Sequence, residues 1–156
     1  MPTPFEAAAG LANACQALPH VVTGGQPGAA HLARLKEAGV QLILDLRDPR
    51  EPRPLDEPAE VHRLGMEYVN VPVGAADLTD ATMGRILEVL RGIQDKEVYV
   101  HCGSGSRVGG ALIPFLMLDR RMSEEDALAQ AMQIGLRSAE LMEWGLDYAR
   151  RHGATP

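Results

Sequence analysis

A chain of 156 residues, 46% apolar and 23% charged, has the length and composition to bury one core, which excludes a low-complexity tail or a repeat array. Fifteen basic against twenty-one acidic residues leave a net charge of −6, the wrong sign for a nucleic-acid or membrane-surface binder, although one desolvated pocket with aimed donors can still hold a small anion. Two cysteines, Cys15 and Cys102, are too few for a disulfide framework and show no metal-ligand spacing, so no structural metal is expected, while a bond between the two stays open.

The N-terminal MPTPFEAAAGLANACQAL lacks a basic leader and carries Glu6 inside its apolar part, so it reads as a short helix and not as a secretory signal. No apolar run approaches the roughly 20 residues of a membrane span, and the expected location is the cytoplasm. Residues 20–23 are a short strand candidate, and the turn TGGQPG (23–28) leads to the helix AAHLARLKEA (29–38), stopped by Gly39. QLILDLR (41–47) is a compact apolar run of the kind buried in a parallel sheet. DPREPRPLDEP (48–58) carries four prolines and predicts no regular structure. AEVHRLG (59–65) predicts a short helix ending at glycine, and MEYVNVPV (66–73) a strand closed by Pro72. The next segment becomes helical near Thr79, with Met83, Ile86, Leu87 and Leu90 on one stripe, and KEVYV (96–100) is the last strand.

Beyond Arg107, VGGALIPFLMLD (108–119) is an almost wholly apolar helix in which Pro114 predicts a kink, because proline removes one helical hydrogen bond. Ser123 with Asp126 starts the helix SEEDALAQAMQIG, whose acidic first turn suits the helix dipole, and Ser138 caps AELMEWGLDYARR. Met83, Met117, Met132 and Met142 read as core filler, and Trp144 and Tyr148 as packing partners one helical turn apart. Strands alternating with helices, then helices alone, predict an α/β fold with a mostly parallel central sheet flanked by helices and a helical C-terminal part, in one domain over residues 1–156. In such sheets the ligand crevice lies at the carboxyl ends of the strands.

That edge is where HCGSGSRVGG (101–110) falls. A strand entering a glycine-rich turn and then a helix leaves several N–H groups pointing into the turn, a site for a tetrahedral anion. Gly103 and Gly105, with the small Ser104 and Ser106, let the backbone close around such a ligand, and Arg107 adds a planar fork for two oxygens. The same donors pull a central Cys102 from the reference value of about 8.5 toward a thiolate, the form that attacks phosphorus or sulfur. A buried apolar cysteine beside a plain turn is the competing reading, weakened because strand, glycines and helix are all in register. Arg47 ends its strand at the same edge, either as a second positive charge for the pocket or as the partner of Asp48, Glu51 or Asp56, and Gln26 either faces the pocket or belongs to a simple turn.

Here the sequence resembles the cysteine-dependent phosphatases of the dual-specificity type, and within them the bacterial phosphatase-like domain also found joined to beta-lactamase-hydrolase-like proteins. The resemblance runs through VVTGGQP, AAHLARLKEAGVQLILDLR, EVHRLGMEYVNVPV and KEVYVHCGSGSRVG, and the order of these pieces is more specific than any one of them. It implies a phosphatase-like fold and a phosphomonoester hydrolase, needing no metal or cofactor, in which Cys102 attacks phosphorus, a phosphocysteine forms and water hydrolyses it. Arg107 and the amides of residues 103–106 would hold the phosphate oxygens, His101 would orient the loop and favour the thiolate, and an aspartate after the preceding strand would protonate the leaving group. Asp77 and Asp80 are the candidates, and Asp77 is the choice because the helix dipole alone accounts for Asp80, next to the cap Thr79. Implied partners are a phosphorylated protein or a small phosphorylated metabolite, with no nucleic acid and no membrane.

Two features depart from the usual pattern. Four residues separate Cys102 from Arg107, where the phosphatases usually have five. The shorter gap also fits rhodanese-type sulfurtransferases, which LDLRDPRE resembles, although their Gly-His-Ile segment is absent. Val108 stands where a hydroxyl usually stabilises the departing thiolate, leaving Ser104 or Ser106 to substitute and keeping a non-catalytic phosphate-binding module in view.

Overall fold

The structure, a computed structural model, describes residues 2–153. Strands β1 (Cys15–Leu18), β2 (Val21–Gly24), β3 (Val40–Asp45), β4 (Glu67–Asn70) and β5 (Glu97–His101) form one sheet in the order β1-β2-β5-β3-β4. All neighbours run parallel except β1, which pairs antiparallel with β2 at the edge. β5 is therefore central, and parallel neighbours on both sides explain why its residues from Val98 to His101 are all buried.

Helices cover both faces. α1 (Pro4–Ala7), α2 (Ala29–Glu37) and α3 (Glu57–Arg63) enclose a smaller core with Leu32, Leu35, Ile43, Val61 and Tyr99. α4 (Asp80–Arg91), α5 (Ser106–Pro114), α6 (Glu124–Ile134) and α7 (Ala139–Arg151) close a larger one, into which the predicted stripe Met83, Ile86, Leu87 and Leu90 points. Thr79, Ser123 and Ser138 each accept a hydrogen bond from the backbone N–H three residues on, as their caps predict.

Several local expectations change. The N-terminal helix stops at Ala7, because left-handed turns at Gly10 (φ 93°) and Asn13 (φ 52°) break it and Cys15–Leu18 finds a better partner in β2. α3 begins two residues early, at Glu57, with Asp56 as cap; Pro58 fits because the first helical turn needs no N–H from it. Pro114 widens its helix into a π-helical turn, Phe115–Asp119, without ending it. The carbonyl of Gly110, which loses its usual donor at position 114, faces Gly145 of α7, where a Cβ would stand 2.6 Å from that oxygen, so glycine alone permits the crossing. Met132 is 58% exposed, because α6 packs through Ala127, Ala131 and Ile134 and turns it outward. Tyr148 stacks on His152, ring centroids 3.8 Å apart, while Trp144 is buried and donates to the carbonyl of Thr79.

Register decides what meets at the carboxyl edge. Gly24 of β2 and Asp45 of β3 both lie opposite His101 of β5. The chain leaving β5 thus emerges between the two loops that leave its neighbours.

Candidate active site

Cys102 follows the central strand, is 1% exposed, and its Sγ accepts a hydrogen bond from the N–H of Gly105 at 3.0 Å. Gly105 is the N-cap of α5 with φ 105°, a left-handed conformation in which a Cβ would also approach the carbonyl of Ile134 to 2.7 Å. That conformation accompanies the approach of the Gly105 N–H to the sulfur.

Three carbonyls of the loop are tied to residues outside it, and the fourth opens the hydrogen-bond ladder of α5. Cys102 O lies 3.1 Å from His101 Nδ1, Gly103 O accepts from the N–H of Gln26 at 3.1 Å, Ser104 O from Asn13 Nδ2 at 2.6 Å, and Gly105 O from the N–H of Gly109 at 3.0 Å. A peptide group whose oxygen is fixed outward presents its N–H on the opposite side, as the Ser104–Gly105 peptide does in giving its N–H to Cys102 Sγ. The Gln26 contribution is a main-chain one.

Arg107 closes the front of the loop. Its Nη1 donates to Glu51 Oε2 at 2.7 Å and Nη2 to Glu51 Oε1 at 3.1 Å, and the guanidinium stands against Gly103, where a Cβ would lie 3.4 Å from Nη2. Glu51 accepts in addition from Arg47 Nε at 3.1 Å and from the N–H of Asp48 at 2.8 Å. Chiefly because of Arg107, its carboxyl is held down at about 2. Arg47 Nη1 continues to Gln26 Oε1 at 2.8 Å. Of the two readings of Arg47 the structure shows the pairing: its loop carboxylate is Glu51, which Arg107 also holds.

The back of the loop is buried. His101, 0% exposed, points into the smaller core, where Nε2 lies 2.5 Å from Glu57 Oε2. Glu57 Oε1 accepts from Gln26 Nε2 at 2.7 Å and from Arg53 Nη1 at 2.8 Å, and the same Nη1 also donates to Asp45. Asp45 receives the hydroxyl of Tyr68 at 2.6 Å and the N–H of Arg47 at 2.9 Å. The trio Asp45, Glu57 and His101 offers ligand atoms within 4.8 Å of one another, the chemistry of a metal site, but the guanidinium of Arg53 occupies the cation position between the two carboxylates. No buried side-chain nitrogen or oxygen among the described residues lacks a hydrogen-bond partner.

The remaining candidates are spread more widely. Asp77 sits in the turn after β4, at the carboxyl edge, with its carboxylate folded back onto the N–H of Gly74 at 3.0 Å. Asp80 is bound by Arg151 through two hydrogen bonds, 2.6 and 2.9 Å, on the α7 side. Ser104 is exposed, Ser106 Oγ accepts from the N–H of Arg137 at 3.1 Å, and Val108 lies in the larger core. Cys15 and Cys102 are both free, and Cys15 sits on the edge strand with its thiol pushed up by burial.

Sequence reading missed Asn13, Arg53, Glu57 and Asp45 as parts of this site, and named Glu51 only as a partner for Arg47. The one available signal was charge: four prolines interleaved with Arg50, Glu51, Arg53 and Glu57 in a segment that leaves the strand next to β5. A loop that cannot adopt regular structure but is rich in ionic side chains has its purpose in them.

A parallel sheet whose central strand delivers a cysteine into an amide-lined turn closed by an arginine has the fold of the cysteine-dependent phosphatases, as the structural relatives show. A DUF442 protein from Shewanella putrefaciens CN-32 superposes with a TM-score of 0.83 at 20% identity, covering 96% of this chain and 99% of that one. Tk-PTP in its active form gives 0.71 at 24% identity, covering 89% and 97%. The core catalytic domain of the PP-IP phosphatase SIW14 from S. cerevisiae gives 0.72 at 15% identity, covering 90% and 91%. No curated protein matches the sequence significantly. Residues 10–143 match the sequence profile of PTP-NADK, described as a DSP-PTPase phosphatase fused to NAD+ kinase, and the chain belongs to that family.

Proposed function

We propose that this chain is a metal-independent phosphomonoester hydrolase in which Cys102 is the nucleophile. The observation that carries the reading is the Gly105 N–H on Cys102 Sγ, within a loop whose Cys102, Gly103 and Ser104 carbonyls are tied to residues outside it. A thiolate at that position meets an amide, a guanidinium and the N-terminus of α5, all of which favour negative charge.

In the first step the sulfur forms a bond to phosphorus and the ester P–O bond breaks. The inward amides and Arg107 stabilise the charge on the oxygens of the transition state, and the leaving oxygen takes a proton. Asp77 is the proposed donor, since Asp80 is committed to Arg151 and Asp77 has only to release Gly74. In the second step water gives a proton to the Asp77 carboxylate as its oxygen bonds to phosphorus and the P–S bond breaks, releasing inorganic phosphate and the free thiolate. Ser106 keeps its O–H available to the departing sulfur, because its oxygen serves only as an acceptor for Arg137.

The substrate class is a phosphorylated protein or a small phosphorylated metabolite. The tyrosines do not build a wall for an aromatic ring at the cradle: Tyr68 donates to Asp45, Tyr99 to the carbonyl of Gly25 at 2.6 Å, and Tyr148 stacks on His152. Among the described residues no helix is long and apolar enough to cross a membrane.

The test is hydrolysis of p-nitrophenyl phosphate without added metal, comparing the wild type with Cys102→Ser. Activity that vanishes with the thiol and is blocked by vanadate supports the reading. Absence of hydrolysis in both proteins rejects it, and transfer of sulfur from thiosulfate to cyanide would then identify the persulfide chemistry that the short loop also accommodates.

A further inference from the structure

The Ser104–Gly105 peptide is engaged at both of its polar atoms. Its carbonyl accepts from Asn13 Nδ2 at 2.6 Å and its N–H donates to Cys102 Sγ at 3.0 Å. The two atoms point in opposite directions from one rigid plane, so whatever fixes the oxygen also fixes the N–H. The chain itself does not fix it. Gly105 holds φ at 105°, and glycine adopts negative φ about as readily, so the plane can turn over while the Cα atoms stay nearly in place, as between type I and type II turns. A flipped plane sets the Ser104 oxygen against the sulfur in place of a donor. Ser104 is exposed, so water can serve its carbonyl and leaves the choice of orientation to other contacts.

Asn13 makes that choice from a fixed position. It lies between α1 and β1, 91 residues from Ser104, with φ 52°, a left-handed conformation that asparagine tolerates better than most residues. The main chain on either side is anchored: Ala12 O accepts from the N–H of Gly25 at 2.9 Å, and Cys15 pairs with Thr23 in the sheet. Gly25 is held in turn by the hydroxyl of Tyr99 on its carbonyl, at 2.6 Å. Asn13 also presses close to the loop, since a Cβ on Gly105 would stand 3.2 Å from Asn13 Cβ. Only the Nδ2 end of its amide can donate, and that end faces Ser104.

We propose that Asn13 is a positioning residue: by holding the Ser104 carbonyl outward it keeps the Gly105 N–H on Cys102 Sγ, and so orients the attacking atom without touching the substrate. The proposal rests on the reading of Cys102 as the nucleophile. The segment ahead of the first strand thereby becomes part of the catalytic apparatus, through one side-chain amide and one peptide plane.

The test uses Asn13→Gly, which removes the donor while keeping the left-handed backbone at no steric cost. Hydrogen exchange of the Gly105 amide, followed by nitrogen-15 NMR without substrate, is expected to quicken about fivefold or more, the equivalent of one lost hydrogen bond. With p-nitrophenyl phosphate, kcat is expected to fall about fivefold while KM stays within about twofold, because the N–H acts on the sulfur and Arg107 still binds the phosphate. Unchanged exchange at Gly105 overturns the proposal. So does an unchanged kcat in a chain that hydrolyses the ester, or a loss confined to KM. If the wild type hydrolyses nothing, the reading of Cys102 fails, while exchange at Gly105 still decides whether Asn13 holds the peptide.

Discussion

Glu51 and Glu57 come from one short stretch of chain, yet they grip the Cys102 loop from opposite sides and obey different energetics. Glu51 stands in front, 31% exposed at its side chain, on Arg107 and Arg47; Glu57 stands behind, 0% exposed, on His101 and Arg53. Both carboxyls are held below their ordinary values by neighbouring cations and donors, with burial opposing. The lesson is that an equal direction of shift conceals unequal dependence: water can replace a lost partner in front and cannot do so behind.

The largest expected effect breaks the back of the loop. Glu57→Ala leaves Arg53 and His101 sharing Asp45 alone in the core, and should cost about 3–5 kcal/mol in urea unfolding, whereas Glu51→Ala should cost about 1 kcal/mol or less. Equal costs would erase the distinction between the two sides. Next comes Arg107→Lys, which keeps a charge in front but loses the two-pronged contact with Glu51 and with phosphate oxygens. On the proposed function it should lower kcat by about 10²-fold or more with little change in stability. Asn13→Asp, which replaces the donor to Ser104 O by an acceptor, should lower kcat/KM about fivefold, the worth of about 1 kcal/mol.

The smallest effect sharpens the comparison through pH and salt. The Glu51 carboxyl titrates at about 2 in the folded chain against an ordinary 4.5, so its contribution to stability is complete above 4.5 and disappears as the pH falls toward 2. The stability difference between wild type and Glu51→Gln should narrow over that interval, and should also shrink in 1 M salt, where the screening length is about 3 Å. The corresponding Glu57→Gln difference should persist in the same salt, because no solvent separates its partners.

Much of the fold was legible. The apolar runs at residues 41–47 and 96–100 became β3 and β5 to within two residues, and the Thr79, Ser123 and Ser138 caps started the helices they predict. Edge strand β1 was not legible, because CQAL has no pattern of its own and becomes a strand only beside β2. In the site, the Cys102 loop stood out while Asn13, Glu51 and Glu57 did not.

That contrast has a physical reason. Residues 101–107 carry a chemistry that is local: glycine conformations, inward amides and an arginine at a helix start follow from adjacent residues, and the sequence by itself determined the parallel sheet, the loop at its carboxyl edge and the types of side chain there. The partners of that loop act across sequence separations of 91 residues for Asn13 and Ser104, 56 for Glu51 and Arg107, and 44 for Glu57 and His101. Only the tertiary structure, by laying β5 between β2 and β3 with Gly24, His101 and Asp45 in register, decided which carboxylate faces which cation. Side chains in an irregular loop carry no period that announces their direction, so their pairing waits on the sheet that anchors them.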